Sequence, residues 1–114
     1  MKYSKDNNKL TVNNIYTIEF KYPIQKTLEY LGKLVVLLDK PLNIKYNDNV
    51  FAVDENGKII WQVSKINTYP GNQEDCPFVD IFINEGKLIL DNWCSISVIV
   101  DIMTGEVLSK FEHR

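Results

Sequence analysis

The sequence predicts an all-β protein, and three local patterns carry this prediction. In residues 50–63, two apolar, β-branched runs flank Asp54-Glu55-Asn56-Gly57, a composition typical of a tight hairpin turn. Residues 98–108 repeat this pattern around Gly105. In residues 15–22 apolar and polar side chains alternate, as they do in a strand with one buried face. Together these patterns indicate antiparallel strands joined by short turns.

The first half of the chain is expected to begin loosely and then to form strands. Residues 1–14 are rich in lysine and asparagine with little periodicity, so we expect a loose or partly ordered start. Pro23 has no N–H group and should end the strand at residues 15–22. The apolar residues of 24–38 also match helical spacing, but Gly32-Lys33 resembles a turn, and we favour two strands.

The middle of the chain is expected to hold a buried strand, a hairpin and a long connection. The unbroken apolar run at residues 34–38 is typical of a central strand covered on both faces. Residues 41–49 have loop composition, and Trp61 in the hairpin that follows is expected in the core. The punctuated residues 65–77 form the one long connection.

The second half repeats the first. A hairpin is expected around Asn84-Glu85-Gly86, with a break at residues 91–93 and further strands at about 96–101 and 106–111. Gly86-Lys87-Leu88 matches Gly32-Lys33-Leu34 of the first half. We therefore predict a single domain over residues 1–114, an antiparallel sandwich or curled sheet of seven to nine strands. It is built from two related four-stranded meanders, about 15–64 and 78–112, joined by the loop 65–77.

Composition excludes several kinds of partner. A net charge of −2 and a single arginine, Arg114, argue against nucleic-acid binding, which needs clustered positive charge. No apolar run approaches the length of a membrane span. The polar N-terminus lacks the apolar region of a secretory signal, so we expect a cytoplasmic protein. In that compartment Cys76 and Cys94 are expected to be free thiols, because disulfides are rare there.

The residues that catalysis or metal binding most often needs are scarce. His113 is the only histidine and lies one residue from the end of the chain. The glycine-rich and nucleophile motifs of P-loop, dinucleotide-binding and serine hydrolase proteins are absent from the sequence. Asp54 and Asp101 begin equivalent turns, where aspartate hydrogen-bonds the reversal. We therefore predict a protein that is not an enzyme and has no metal or cofactor.

A recognition patch is the strongest functional candidate. It combines an aromatic anchor with acidic residues around the long connection and the nearby strand break, namely Tyr69, Glu74, Asp75, Asp91 and Trp93. This interpretation requires Trp93 to be exposed, as its position at a strand break would allow. The alternative, that Trp93 covers the end of the core, is slightly favoured.

Two resemblances add expectations. Residues 53–61, and more faintly 100–108, resemble the hairpin of quinoprotein-type β-propeller repeats, but two units imply neither a closed propeller nor its cofactor site. The whole chain is similar to small uncharacterised bacterial proteins of the toxin-immunity kind. That resemblance implies a cytoplasmic immunity protein that neutralises a toxin domain by occlusion, and we expect this partner to be basic. The alternatives are a small-ligand or carbohydrate-binding module that uses Trp93 and Tyr69, and a structural or assembly module.

Overall fold

The computed structural model describes residues 1–63 and 76–112, which form eleven β-strands and no helix. The strands are β1 (Tyr3–Asp6), β2 (Lys9–Val12), β3 (Tyr16–Glu19), β4 (Ile24–Tyr30), β5 (Lys33–Leu38), β6 (Val50–Val53), β7 (Ile59–Gln62), β8 (Phe78–Asn84), β9 (Lys87–Asn92), β10 (Ile96–Val100) and β11 (Val107–Glu112). Among these residues no helix is long and apolar enough to span a membrane. The predicted all-β class is confirmed, as are two strands rather than a helix in 24–38.

Three antiparallel sheets make up the described part of the chain. The N-terminal sheet has the order β1-β2-β3, the middle sheet β4-β5-β6-β7, and the last sheet β8-β9-β10-β11. Each four-stranded sheet is a meander, in which every strand pairs with the next one along the chain. The predicted arrangement in antiparallel meanders is confirmed, but the first meander begins at β4, because the strand predicted at residues 15–22 pairs with β2 in the N-terminal sheet. None of the sheets formed by the described residues closes into a barrel.

The sequence did not predict the N-terminal sheet, of which it indicated only the strand β3. Residues 1–14, expected to be loose, form β1 and β2, which raises the number of strands above the predicted seven to nine. Asn7 has a φ of 55°, and asparagine tolerates this left-handed turn better than most residues do. Leu10 and Val12 alternate with polar residues along β2, and both are fully buried. Two apolar residues are too short a pattern to predict a strand.

The middle sheet is covered on both faces. Val35 and Leu37 of β5 belong to the core shared with the last sheet. Leu34, Val36 and Leu38 alternate with them and belong to the second core, which includes Leu10 and Val12 of the N-terminal sheet. These five residues of β5 are essentially inaccessible to solvent, and each buried leucine contributes about 1.5–3 kcal/mol of burial free energy. The predicted central strand is confirmed.

Trp61 links the middle sheet to the last one. Its indole is 7% exposed and lies in the core between the two sheets. The indole N–H donates a hydrogen bond of 2.7 Å to the carbonyl of Ile102, which follows β10. This bond satisfies the one polar group that burial of the ring would otherwise leave without a partner.

The repeat in the sequence extends to the backbone of the hairpins β4–β5 and β8–β9. Leu31-Gly32 and Glu85-Gly86 form their two-residue turns, and all four residues have positive φ, as a type I′ turn requires. At the open ends, the N–H of Asp39 donates to the Pro23 carbonyl and the N–H of Trp93 donates to the Pro77 carbonyl, both at 2.8 Å. The two hairpins are therefore equivalent from the turn to the open end.

A disulfide joins Cys76 to Cys94, so the expectation of free thiols is wrong. The Cα atoms lie 5.4 Å apart although the cysteines are 18 residues apart in sequence. The register of the hairpin β8–β9 explains this, because Phe78 pairs with Asn92. Cys76 and Cys94 each lie two residues beyond that pair, where the strands are still adjacent. The compartment argues for free thiols, whereas the hairpin predicted around residues 84–86 brings the two cysteines close enough to bond.

Candidate functional site

A groove with a cavity volume of about 430 Å³ lies at the open ends of the two equivalent hairpins. Volumes of this order are typical of pockets that bind a small ligand. One wall comes from the first hairpin and the segment after it: Gln25, Leu38, Asp39, Lys40, Leu42 and Asn49. The other wall comes from the second hairpin: Pro77, Phe78, Val79 and Trp93.

Two β-bulges border the groove. Gln25 is the residue at which the pairing of β4 with β5 shifts, and Val79 is its counterpart in the pairing of β8 with β9. The Gln25 side-chain amide donates to the Val79 carbonyl at 3.4 Å, so the bulged residues contact each other. Bulges occur often next to functional sites because the extra residue changes the direction of a side chain. Both of these side chains line the groove.

Trp93 is an exposed side chain on a fixed backbone. Its residue is 72% exposed, so the alternative that it covers the end of the core is wrong. The backbone is held by the Trp93 N–H bond to Pro77 and by the disulfide at the next residue. Asn92 also accepts hydrogen bonds from the N–H groups of Cys94 and Ile96, at 2.9 and 3.0 Å. The indole is therefore presented to solvent at a defined place.

Two buried asparagines tie the walls of the groove together. The Asn49 side chain donates to the carbonyls of Leu38 and Phe78 and accepts from the Phe78 N–H, each at 2.9 Å. Asn47 accepts from the Cys76 N–H at 2.9 Å. Because these bonds join the two walls, the groove is formed before any partner arrives, which lowers the entropic cost of binding. In the sequence both asparagines have only the composition of a loop, which gives no signal of this role.

The groove contains one carboxylate and one ammonium group. Asp39 is exposed, and within residues 1–63 and 76–112 its carboxylate has no hydrogen bond or ion pair. The Lys40 ammonium donates to the Pro41 carbonyl at 3.1 Å. Asp39 is missed by sequence reasoning because a lone aspartate after a strand has the same appearance as a turn residue. The signal that identifies it is the repeat, which aligns Asp39 with Trp93.

The structure separates one predicted site residue from Trp93. Asp91 lies within β9, not in a strand break, since β9 continues through Asn92. Its carboxylate accepts a hydrogen bond from the Ser97 hydroxyl, and it does not line the groove. The remaining three members of the predicted patch, Tyr69, Glu74 and Asp75, lie outside the described residues. Of the two members of the patch that the structure describes, Trp93 lines the groove and Asp91 does not.

The turn aspartates have the role that the sequence predicts. The Asp54 carboxylate accepts from the N–H groups of Asn56 and Lys58, both at 2.9 Å. The Asp101 carboxylate accepts from the Met103 N–H at 2.8 Å. Across residues 1–63 and 76–112, no group of three or more His, Cys, Asp or Glu side chains is arranged to hold a metal ion.

The family of the chain is found by comparison with known proteins. A family model described as a domain of unknown function (DUF7957) matches residues 1–111. No curated protein matches the chain. The match covers all three sheets and both walls of the groove.

Proposed function

We propose that this chain, which belongs to the DUF7957 family of domains of unknown function, is a non-catalytic binding protein that contacts a partner protein through the Trp93 groove. The proposed mode of action is occlusion, as in an immunity protein that covers the working surface of a bacterial toxin domain. No covalent bond is made or broken in this mode of action, so the protein needs only a surface that binds the partner and covers its active region.

The exposed indole of Trp93 is the observation that carries the proposal. Placing a tryptophan in water at 72% exposure forgoes the burial free energy that its ring would contribute in a core. The backbone of Trp93 is held by a hydrogen bond and adjoins the disulfide, so the exposed ring is presented from a fixed position. Binding recovers that free energy when a partner covers the ring, and tryptophan is enriched among the residues that dominate interface affinity.

The apolar surroundings of Trp93 support a protein partner. Leu42 is 98% exposed and lines the same groove, together with Pro77 and Val79. An apolar centre with polar groups at its margin is typical of protein interfaces. The mild net charge of −2 supports a basic partner, because opposite charge speeds association.

Replacing Trp93 with alanine tests this surface. We expect Trp93→Ala to weaken partner binding by about thirtyfold or more, the effect typical of an interface anchor. Because the side chain is exposed, the free energy of unfolding should stay within about 0.5 kcal/mol of the wild type. Ile15→Ala is the matched control, since Ile15 is 73% exposed and lies away from the groove. Loss of folding in Trp93→Ala would contradict the proposed role.

Co-expression tests the partner itself. The toxin domain to use is the one encoded beside the gene, and the readouts are cell growth and recovery of a stoichiometric complex. We expect the wild type and Ile15→Ala to protect cells and Trp93→Ala to lose protection. Absence of both complex and protection with the wild type would contradict the immunity function.

A small-ligand or carbohydrate module is the second candidate, and the size of the groove favours it. The cavity volume of about 430 Å³ matches a small ligand, and an exposed indole can stack on a sugar ring. Gln25 and Asp39 would supply polar groups for hydroxyls. A panel of oligosaccharides monitored by tryptophan fluorescence separates the candidates: saturable quenching that Trp93→Ala abolishes supports this module and contradicts occlusion of a protein.

The cytoplasmic location remains a proposal from the sequence, and the disulfide is the observation against it. Disulfides persist mainly in oxidising compartments. Alkylating free thiols at the moment of cell lysis measures the state of Cys76 and Cys94. Complete alkylation of both supports a reducing compartment, whereas full protection contradicts it.

A further inference from the structure

We infer that the anchor which enters the Trp93 groove is an arginine side chain of the partner, with its guanidinium group bound between the Trp93 indole and the Asp39 carboxylate. This inference rests on the proposed function and names the chemistry that the groove recognises. It adds Asp39, on the opposite wall, to the binding residues.

The equivalence of the two hairpins brings these two groups to one groove. Asp39 and Trp93 are the residues that follow β5 and β9, and each is fixed by an N–H bond of 2.8 Å to the proline that precedes its hairpin. The repeat therefore places a carboxylate and an indole at corresponding positions on opposite walls. Neither side chain contributes to a core.

The charges around the groove favour a cation over an anion. The Asp39 carboxylate has no partner within the described residues. Lys40, the lysine that lines the groove, donates to the Pro41 carbonyl, and Lys26 on β4 pairs with Asp80 at 2.7 Å. An incoming cation would supply the Asp39 carboxylate with a counter-ion and with hydrogen-bond donors.

The shape and chemistry of the walls favour arginine over lysine. Leu42, Pro77 and Val79 form an apolar surface for the aliphatic part of a long side chain. A planar guanidinium stacks on an indole and binds a carboxylate with two parallel hydrogen bonds, whereas an ammonium group is a strongly hydrated point charge. Arginine therefore uses both Trp93 and Asp39 at a lower cost of desolvation.

A titration with arginine alone tests the inference without the partner. The probe is Nα-acetyl-arginine amide, which has uncharged ends, and the signal is the indole N–H of Trp93 in a nitrogen–proton NMR spectrum. We expect a saturable shift with a dissociation constant on the order of 1–10 mM, as suits a single side chain. The buried indole of Trp61 serves as an internal reference that should not move. The citrulline analogue has the same shape without the charge and should bind at least about tenfold more weakly.

Asp39→Asn is the matching variant. Removing the carboxylate should weaken arginine binding about tenfold, because a charge-assisted pair is replaced by a neutral one. Asp6→Asn is the control, since it makes the same change of charge at an exposed position of β1. Equal binding of citrulline and arginine, or unchanged affinity in Asp39→Asn, overturns the inference.

The proposed function can be judged separately with the same variants. If Trp93→Ala abolishes partner binding while Asp39→Asn leaves it unchanged, occlusion through Trp93 stands and the arginine anchor is wrong. If arginine binds as expected and Asp39→Asn also weakens partner binding, both stand. If arginine binds but no partner protein does, the groove chemistry stands and occlusion of a protein is wrong.

Discussion

The hairpins β4–β5 and β8–β9 share a backbone and differ in the residues at their open ends. Both have a two-residue turn with positive φ, a bulge at the same distance from it, and an N–H bond to a preceding proline. After the strands, one hairpin carries Asp39 and the other Trp93. The shared positions build the fold, whereas the differing positions supply the groove with its charge and its aromatic ring.

The open ends are also held together by different means. In the first hairpin, Tyr22 is buried and packs against Tyr46 with ring centroids 5.3 Å apart. The corresponding residue of the second hairpin is Cys76, which is joined to Cys94. One end thus depends on the packing of two phenol rings, and the other on a covalent bond. This difference predicts that different conditions weaken each end.

The largest expected effect comes from removing the disulfide. The double variant Cys76→Ser/Cys94→Ser should lose about 3 kcal/mol of unfolding free energy, because a loop of this length is no longer closed in the unfolded chain. Urea unfolding followed by tryptophan fluorescence measures the loss. Reduced wild-type protein is the control and should unfold like the double variant. An unfolding midpoint that does not change on addition of reductant would contradict the stabilising role of the disulfide.

The fold class was predictable from local patterns, whereas the site was not. The turn at Gly57, the repeat of Gly32-Lys33 in Gly86-Lys87 and the run at residues 34–38 each report a single element, so the sequence reveals them. The groove depends on how two hairpins 54 residues apart meet, as Gln25 and Val79 do. Trp93 was identified from its position at the end of a strand. The repeat aligns Asp39 with Trp93 in the sequence, but it does not show that both residues line one groove.

An intermediate effect is expected at the two turn glycines. Gly32 and Gly86 have φ values of +78° and +73°, and an added Cβ would meet no atom within 4 Å at either one. Gly32→Ala and Gly86→Ala should therefore each cost about 1 kcal/mol, the cost of a left-handed conformation alone. Equal shifts in the urea midpoint would support the equivalence of the turns. A clearly larger cost at one of them would show that the hairpins are constrained differently.

A smaller effect is expected at the ion pair between the hairpins. Lys26 and Asp80 occupy corresponding positions, with the ammonium and carboxylate 2.7 Å apart and side chains 42% and 48% exposed. Because solvent screens the pair, Lys26→Met should cost only about 0.5 kcal/mol. The exchanged variant Lys26→Asp/Asp80→Lys should recover most of the loss that either single charge reversal causes. If the exchange recovers nothing in urea unfolding, the two positions are not interchangeable.

The smallest expected effect is a loss of stability at alkaline pH. It concerns Tyr46, which packs on the open end of the first hairpin. Burial raises the pKa of Tyr46 above its usual value of 10.0, Asp48 and Tyr22 raise it further, and the hydrogen bond from Gln62 opposes them. The unfolded chain therefore loses this proton at a lower pH than the folded protein does. The associated stability is complete below about pH 10 and is lost as the pH rises through the folded pKa.

Urea unfolding between about pH 8 and pH 11 should show this fall in the wild type and a shallower one in Tyr46→Phe. An unchanged slope in Tyr46→Phe would contradict the role of this phenol. Alkaline pH therefore weakens the tyrosine packing at the open end of the first hairpin, whereas a reductant breaks the disulfide at the open end of the second.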